Sequence, residues 1–206
     1  MKVELIDYMG SDLSVVNAAR VSFAKYHAEF DEKNDTQLIN YLAKHNHWSP
    51  FGHASMQFHI KAPMFVARQL VKHQVGLVWN EVSRRYVDDE PEFYTPTEWR
   101  RAAENKKQGS SDETIEYSVL PAYTFAKQYY ENMLDKGVAP EMARMVLPQA
   151  MMTEWYWSGT LYAFARVCNL RCKSDAQKET QDVGWKIDEI AKKLFPVSWR
   201  AIRIYE

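Results

Sequence analysis

The sequence predicts an α+β fold in a single mainly helical domain spanning residues 1–206, and three patterns predict it. Apolar residues recur at helical spacing along much of the chain, two short stretches have strand character, and no internal repeat or linker divides the whole. Val3 to Ile6 reads as the first strand, and Asp12 is placed to cap a helix carrying Val15, Val16 and Ala19. Asn34 or Asp35 caps a second helix, in which Leu38 and Leu42 share a face with His45. From Ala54 to Lys61, Met56, Phe58 and Ile60 alternate with Gln57, His59 and Lys61, the period of a strand with one buried face. Pro63 suits the first turn of a helix running to about His73. Val82 to Asp89 is loop or extended, and the charged, Gly- and Ser-containing stretch from Arg100 to Asp112 reads as a mobile surface loop. Ile115, Val119, Ala126, Tyr130 and Met133 mark a long amphipathic helix that Gly137 stops. Pro140 opens a short helix through Leu147 that Pro148 ends. Helices at Leu161 to Arg171 and Ala176 to Phe195, the second with Val183, Ile187, Ile190 and Leu194 on one face, complete the set.

Composition limits the functions available. With 46% hydrophobic and 26% charged residues the chain is neither disordered nor fibrous, and a net charge of -1 excludes nucleic-acid binding through overall positive charge. An anionic ligand therefore needs a local cationic cluster. The two cysteines, Cys168 and Cys172, stand at helical i,i+4 spacing, which lacks the geometry of a disulfide bridge, and read as reduced thiols. The N-terminal MKVELIDYMG carries no signal-peptide run and no stretch reaches the length of a membrane span, so a cytoplasmic protein without a membrane partner is expected.

The densest chemistry lies in RQLVKHQVGLVWNEVSRR, Arg68 to Arg85. Arg68 with Lys72 and Gln69 with His73 form adjacent i,i+4 pairs on the expected helix. Asn80, Glu81, Ser83, Arg84 and Arg85 then bring a carboxylate, a hydroxyl and two guanidiniums within six residues, a grouping suited to phosphate. A solvated charged face is the plainer reading of most charge runs. Here His, Gln, Asn, Ser and Trp are mixed with the charges between two apolar elements, which favours a lined cleft.

These residues resemble the flavin-dependent thymidylate synthases. That family carries Arg-His-Arg, seven or eight residues and Ser, inside a pattern ending Asn-Glu-x-Ser-x-Arg-Tyr. This chain has Lys72-His73-Gln74, eight residues, Ser83, and Asn80-Glu81-Val82-Ser83-Arg84-Arg85-Tyr86. APMFVARQLVKH leads into it, Pro50-Phe51-Gly52-His53 follows His47 and Ser49, and AARVSF (Ala18 to Phe23), ARMVLP (Ala143 to Pro148) and NLR (Asn169 to Arg171) match further family blocks in order. Lys72 and Gln74 stand where the family has arginines, and Gly52 where it has an acidic residue.

The resemblance implies an α+β fold with a small antiparallel sheet, and conversion of dUMP to dTMP. Methylene-tetrahydrofolate would give the carbon, reduced FAD the hydride, and NADPH would reduce the flavin; the protein would position and polarise. By resemblance, Gln69, Lys72, Glu81, Ser83, Arg84, Arg85 and Arg144 hold dUMP, with Arg85 reaching the nucleotide of a neighbouring subunit in a homotetramer. Arg171 lies against the pyrimidine edge as the catalytic residue, while Ser22, His47, Ser49, His73, Gln74, Asn80 and Asn169 line the FAD. His27, His45 and His59 are left as structural or surface residues, and no histidine spacing supports a metal. Cys168 and Cys172 lie outside the nucleotide motif, which argues against a thiol nucleophile. A pyrimidine nucleotide hydroxymethylase on the same scaffold, a non-catalytic nucleotide-binding protein and, with little weight, a metal-dependent hydrolase stay open as alternatives.

Overall fold

The computed structural model describes residues 1–87, 89–104 and 109–205. In chain order the elements are β1 (Lys2–Met9), α1 (Asp12–Arg20), α2 (Asn34–Lys44), β2 (Ser55–Pro63), α3 (Met64–Leu70), β3 (Leu77–Glu81), β4 (Trp99–Ala102), β5 (Ser110–Ile115), α4 (Leu120–Asp135), α5 (Pro140–Ala143), β6 (Met152–Thr160), α6 (Leu161–Arg171), α7 (Lys178–Leu194) and α8 (Pro196–Ile202). Strands β1, β2, β6 and β3 form an antiparallel sheet in that order, and β4 and β5 form a separate hairpin. The α+β class with a small antiparallel sheet is thus present.

The sheet is explained by its buried face. Met56, Phe58, Ile60 and Ala62 of β2 are buried, as are Thr153, Trp155 and Trp157 of β6. The register sets Phe58 opposite Trp157 and Ile60 opposite Trp155, so one face joins two apolar rows. With that face the core gathers Phe164, Val167 and Cys168 of α6 and Val183, Ile187 and Ala191 of α7, Val183 and Ile187 belonging to the helix face foreseen from periodicity. Phe164 meets both Phe58 and Trp157 edge-on, at 5.0 and 5.3 Å between ring centroids. Truncating such a side chain to Ala costs about 3–5 kcal/mol.

Strand β6, the inner strand joining β2 to β3, has no counterpart in the sequence reading. Its MTEWYWSGT alternates, but three aromatics and a Gly-Thr end give less contrast than the Met, Phe, Ile row of β2. Gly159 makes its pairing possible: a Cβ there would meet Leu77 Cδ2 at 2.4 Å and the Gly76 carbonyl oxygen at 2.6 Å. Only glycine lets the turn into β3 close against β6.

Several boundaries differ from expectation. Asp12 does not cap α1, whose N-cap is Ser11; its carboxylate accepts from Val197 N at 3.0 Å and Ser198 N at 2.8 Å, capping α8 instead. Neither Asn34 nor Asp35 caps α2. Asp31 Oδ1 accepts from the backbone N–H of Lys33 and Asn34, while buried Asp35 binds Arg20, His27 and the Asp31 N–H. Helix α3 stops at Leu70, so Lys72 and His73 lie in the following turn rather than on a helix, and Pro63 ends β2. Ile115 belongs to β5, and α4 begins after Val119. The Arg100 to Asp112 stretch, read as a loop, contributes to hairpin strands β4 and β5, with residues 105–108 outside the described residues. Its cross-strand pattern is polar on both faces, which hides strand character from a hydrophobic periodicity.

Candidate active site

The polar motif divides between two places. The first is a cleft of about 1060 Å³ where the chain leaves β3 and passes the short helix α5. Arg68, Glu81, Ser83, Arg84, Arg85 and Arg144 line it. Glu81 is fastened from both sides: Thr153 Oγ1 donates to Oε1 at 2.8 Å and Trp79 Nε1 to Oε2 at 3.1 Å. Ser83 Oγ accepts from Arg85 Nε at 3.1 Å, and the Arg85 guanidinium lies 5.0 Å from the centre of the Tyr86 ring. Arg84 donates to the Asp89 carbonyl and Arg144 Nε to that of Glu141.

Among the described residues, none of Arg68, Arg84, Arg85 and Arg144 pairs with a carboxylate. Glu92 and Glu154 also face the cleft but are engaged by Lys61, at 2.6 and 3.5 Å. Four planar guanidiniums with uncommitted donors therefore line one cleft, where a multiply charged oxyanion such as a phosphate would satisfy them.

The second place is where the turn after α3 meets the end of α6. Arg171 Nε donates to His73 Nε2 at 3.0 Å and Arg171 Nη2 to the Gln69 carbonyl at 3.3 Å. Burial first, then the charges of Arg171 and Arg166, push His73 down to about 4. At neutral pH its imidazole is uncharged; because Nε2 accepts from Arg171, the proton resides on Nδ1. The Gln69 side chain donates to Gln177 Oε1 and accepts from Thr180 Oγ1 at 3.1 Å, both at the start of α7. Gln69, Lys72 and Arg171 do not line the cleft of the arginines, and Lys72 is exposed.

Of the residues expected at FAD, His73 lies in this second place and the others lie outside both. Ser22, His47, Ser49, Gln74 and Asn80 are exposed, and their side chains make no hydrogen bond among the described residues. His47 meets Tyr41 edge-on at 5.9 Å. Exposed Phe23, Tyr26 and Trp48 stand near them in the chain. Uncommitted donors and acceptors of this kind are the chemistry that a large polar heteroaromatic group such as a flavin nucleotide would engage. Asn169 is placed differently. Its Nδ2 donates to the Ile202 carbonyl at 3.1 Å, and its Oδ1 accepts from Arg203 and from Ile204 N, holding the C-terminal segment against α6.

His27 pairs with Asp35 at 3.0 Å and His59 with Glu154 at 2.9 Å, while His45 packs on Tyr41. No group of three or more His, Cys, Asp or Glu suited to a metal occurs among the described residues. The cysteines are free thiols; burial pushes Cys168 up, and its hydrogen bond to Cys172 pulls the latter down. No helix of the described residues is long and apolar enough to cross a membrane.

Gln177 and Thr180 are the site residues that the sequence reading left out, and Arg68, singled out there only as the partner of Lys72 on a helix, was not assigned to a ligand. Arg68 follows from its place one residue before Gln69, since successive helical positions turn by about 100° and so face different neighbours. Gln177 and Thr180 give no local signal, because their partner Gln69 is more than a hundred residues away.

Known proteins resemble this chain over nearly its whole length. Residues 4–197 match the family described as "Thymidylate synthase complementing protein". The flavin-dependent thymidylate synthase of Thermus thermophilus is 40% identical over 203 residues, covering 97% of this chain and 74% of the relative. That of Thermotoga neapolitana is 40% identical over 204 residues, covering 98% and 91%. Among solved structures, a UMP/dUMP methylase PolB from Streptomyces cacaoi bound with 5-Br dUMP superposes with a TM-score of 0.87 at 32% identity, covering 97% of this chain and 93% of the other. The same methylase bound with 5-Br UMP gives 0.81, also at 32% identity.

Proposed function

We propose that this chain, which belongs to the flavin-dependent thymidylate synthase family, converts dUMP to dTMP with methylene-tetrahydrofolate as carbon donor, reduced FAD as hydride carrier and NADPH as reductant. The observation that carries the reading is the convergence of Arg68, Arg84, Arg85 and Arg144, none paired with a carboxylate among the described residues, on a cleft that also presents the Ser83 hydroxyl. When bound, FAD and the folate supply the redox and one-carbon chemistry. The protein's own residues bind and polarise. The guanidiniums take the nucleotide phosphate, with Glu81 held rigidly by Thr153 and Trp79 beside them. Arg171, braced by His73 and the Gln69 carbonyl, offers its remaining N–H groups to negative charge developing on the pyrimidine. His73, neutral, presents Nδ1–H to the flavin side as a donor and adds no charge to those of Arg171 and Arg166.

The nucleotide set is split between the cleft and the Arg171 cluster within one protomer. This supports a site shared between subunits, with Arg85 serving a neighbouring subunit's nucleotide in the homotetramer that the family resemblance implies. The test uses purified protein, checked first for flavin absorbance, then supplied with dUMP, methylene-tetrahydrofolate and NADPH while dTMP is followed by chromatography. Absence of dTMP from flavin-loaded protein refutes the reading, and a 5-hydroxymethyl product reassigns it as the hydroxymethylase. Calorimetry with dUMP and uridine tests the phosphate contact, and equal affinities would remove it.

Likeness to a UMP/dUMP methylase favours a second reading, in which UMP is also accepted. Parallel turnover with UMP and dUMP decides it.

A further inference from the structure

Residues expected at the flavin lie on both sides of one helix. On one side Trp48, between His47 and Ser49 in the chain, sets its ring 6.1 Å from that of Tyr162 in the first turn of α6. On the other side the segment from His73 to Gly76 runs along α6 in the opposite sense. His73 Nε2 accepts from Arg171 Nε at the far end of the helix, and the Gly76 carbonyl accepts from Thr160 N at its start, at 3.0 and 3.1 Å. Gly76 lies so close to Ala163 that a Cβ on it would meet the alanine Cβ at 3.1 Å. Gln74, between these two anchors, is thereby carried past the middle of α6.

Arg166 occupies that middle. Successive residues of an α-helix turn by about 100°, so Arg166 projects about 40° from Tyr162 and about 60° from Ala163, on the strip between the Trp48 side and the Gly76 side. Its neighbours Ala165 and Val167 are buried, while Arg166 is exposed. Among the described residues its guanidinium makes no hydrogen bond and pairs with no carboxylate. Its charge nevertheless reaches His73, where it acts after burial and Arg171 to keep the imidazole neutral. Gln74 stands where the flavin-dependent thymidylate synthases have an arginine, and an amide cannot replace a permanent cation.

We infer that Arg166 binds FAD, supplying from α6 the positive charge that Gln74 does not bring from the neighbouring segment. The inference rests on the reading that the protein holds FAD against His47, Ser49 and His73. Toward that cofactor Arg166 offers a planar fork of N–H donors, which suits the diphosphate and also the N1–C2=O edge of the ring.

The experiment is FAD binding to the full chain stripped of flavin, followed by fluorescence quenching. Arg166→Gln raises the FAD dissociation constant about five- to tenfold, the loss of one charge-assisted contact, and leaves the thermal midpoint of the flavin-free protein unchanged. Adding Gln74→Arg to that variant returns the cation to the neighbouring segment and restores the dissociation constant to within about twofold. A structural defect would not be cured by a charge placed on another element, so an unrescued double variant overturns the inference. Riboflavin locates the contact: a loss confined to FAD puts Arg166 at the diphosphate, and a loss shared with riboflavin puts it at the ring. Should Arg166→Gln fail to fold, Gln74→Arg decides alone. With Arg166 already at the anion, the added arginine tightens FAD by less than about twofold, and a larger gain overturns the inference. A wild-type protein that takes up no FAD sinks the functional reading together with this inference. A wild type that binds FAD, beside an Arg166→Gln protein that binds it equally well, sinks the inference alone.

Discussion

The cleft of arginines and the Arg171–His73–Gln69 cluster contain similar residue types in opposite states. In the cleft the guanidiniums, apart from that of Arg68 on α3, lie on loops and short turns, mostly exposed, with donors left over. In the cluster every named group is half-buried and answered by another, down to the tautomer of one imidazole. The first is organised to receive charge from outside; the second is already organised before any ligand arrives. Substitutions in the cluster should therefore damage catalysis, and those in the cleft should damage binding and its salt dependence.

The sharpest way to break that contrast is Arg171→Ala. It strips His73 Nε2 and the Gln69 carbonyl of their donor, and kcat/KM for dTMP formation should fall by about 10²–10³. Arg171→Lys should recover only part, since an ammonium cannot span both acceptors with a planar fork. A loss below tenfold in Arg171→Ala would show that the cluster is not catalytic.

Arg85→Ala should weaken dUMP binding by on the order of 2 kcal/mol if its contacts to the nucleotide are charge-assisted. Its thermal midpoint should stay put, because Arg85 bonds only to its neighbour Ser83 and lies over Tyr86. Raising the salt should weaken wild-type binding more steeply than that of the variant. An unchanged dissociation constant would take Arg85 out of the site.

A smaller effect concerns pH. His73 is held at about 4 in the folded protein against an ordinary 6.5. As the pH falls through 6.5 the unfolded chain takes up a proton that the folded chain refuses until about 4, so the wild type loses stability across that window. Allowing for partial exposure, the wild type should lose on the order of 1–2 kcal/mol more than His73→Gln between those limits, and nothing extra above them. Denaturant titrations of both proteins at several pH values measure the difference, and parallel curves would show His73 to be unperturbed.

The smallest expected change is none. Cys168→Ala/Cys172→Ser should keep dTMP formation within about twofold per folded, flavin-loaded protein, since the thiols face Gly184 and each other rather than either polar region. Complete loss of turnover in folded protein would require a thiol step.

The two regions also differ in how far they could be read from the sequence. Glu81, Ser83, Arg84 and Arg85 are near neighbours in the chain, so the cleft's chemistry was visible as a dense run before any fold was known. The helix-based pairs proposed for Arg68, Gln69, Lys72 and His73 were not correct, because α3 ends at Leu70. What holds Gln69 and His73 is supplied by α6 and α7 instead. Asp12 teaches the same lesson at a helix end: the residue type announced a cap, but the helix it caps is 185 residues further along.

Local periodicity and close spacing were enough to read from the chain alone the α+β class, the core rows of β2 and α7, and the dense run of Glu81, Ser83, Arg84 and Arg85 in the cleft. Tertiary structure alone decided that β6 runs between β2 and β3, that the Arg100 stretch pairs as a hairpin, and that Arg171 and His73 share a hydrogen bond. Those outcomes depend on contacts between distant segments. Polar groups in particular carry no periodic signature of their partners: a buried donor is satisfied by whichever acceptor the fold delivers, and the chain's order does not say which one that will be.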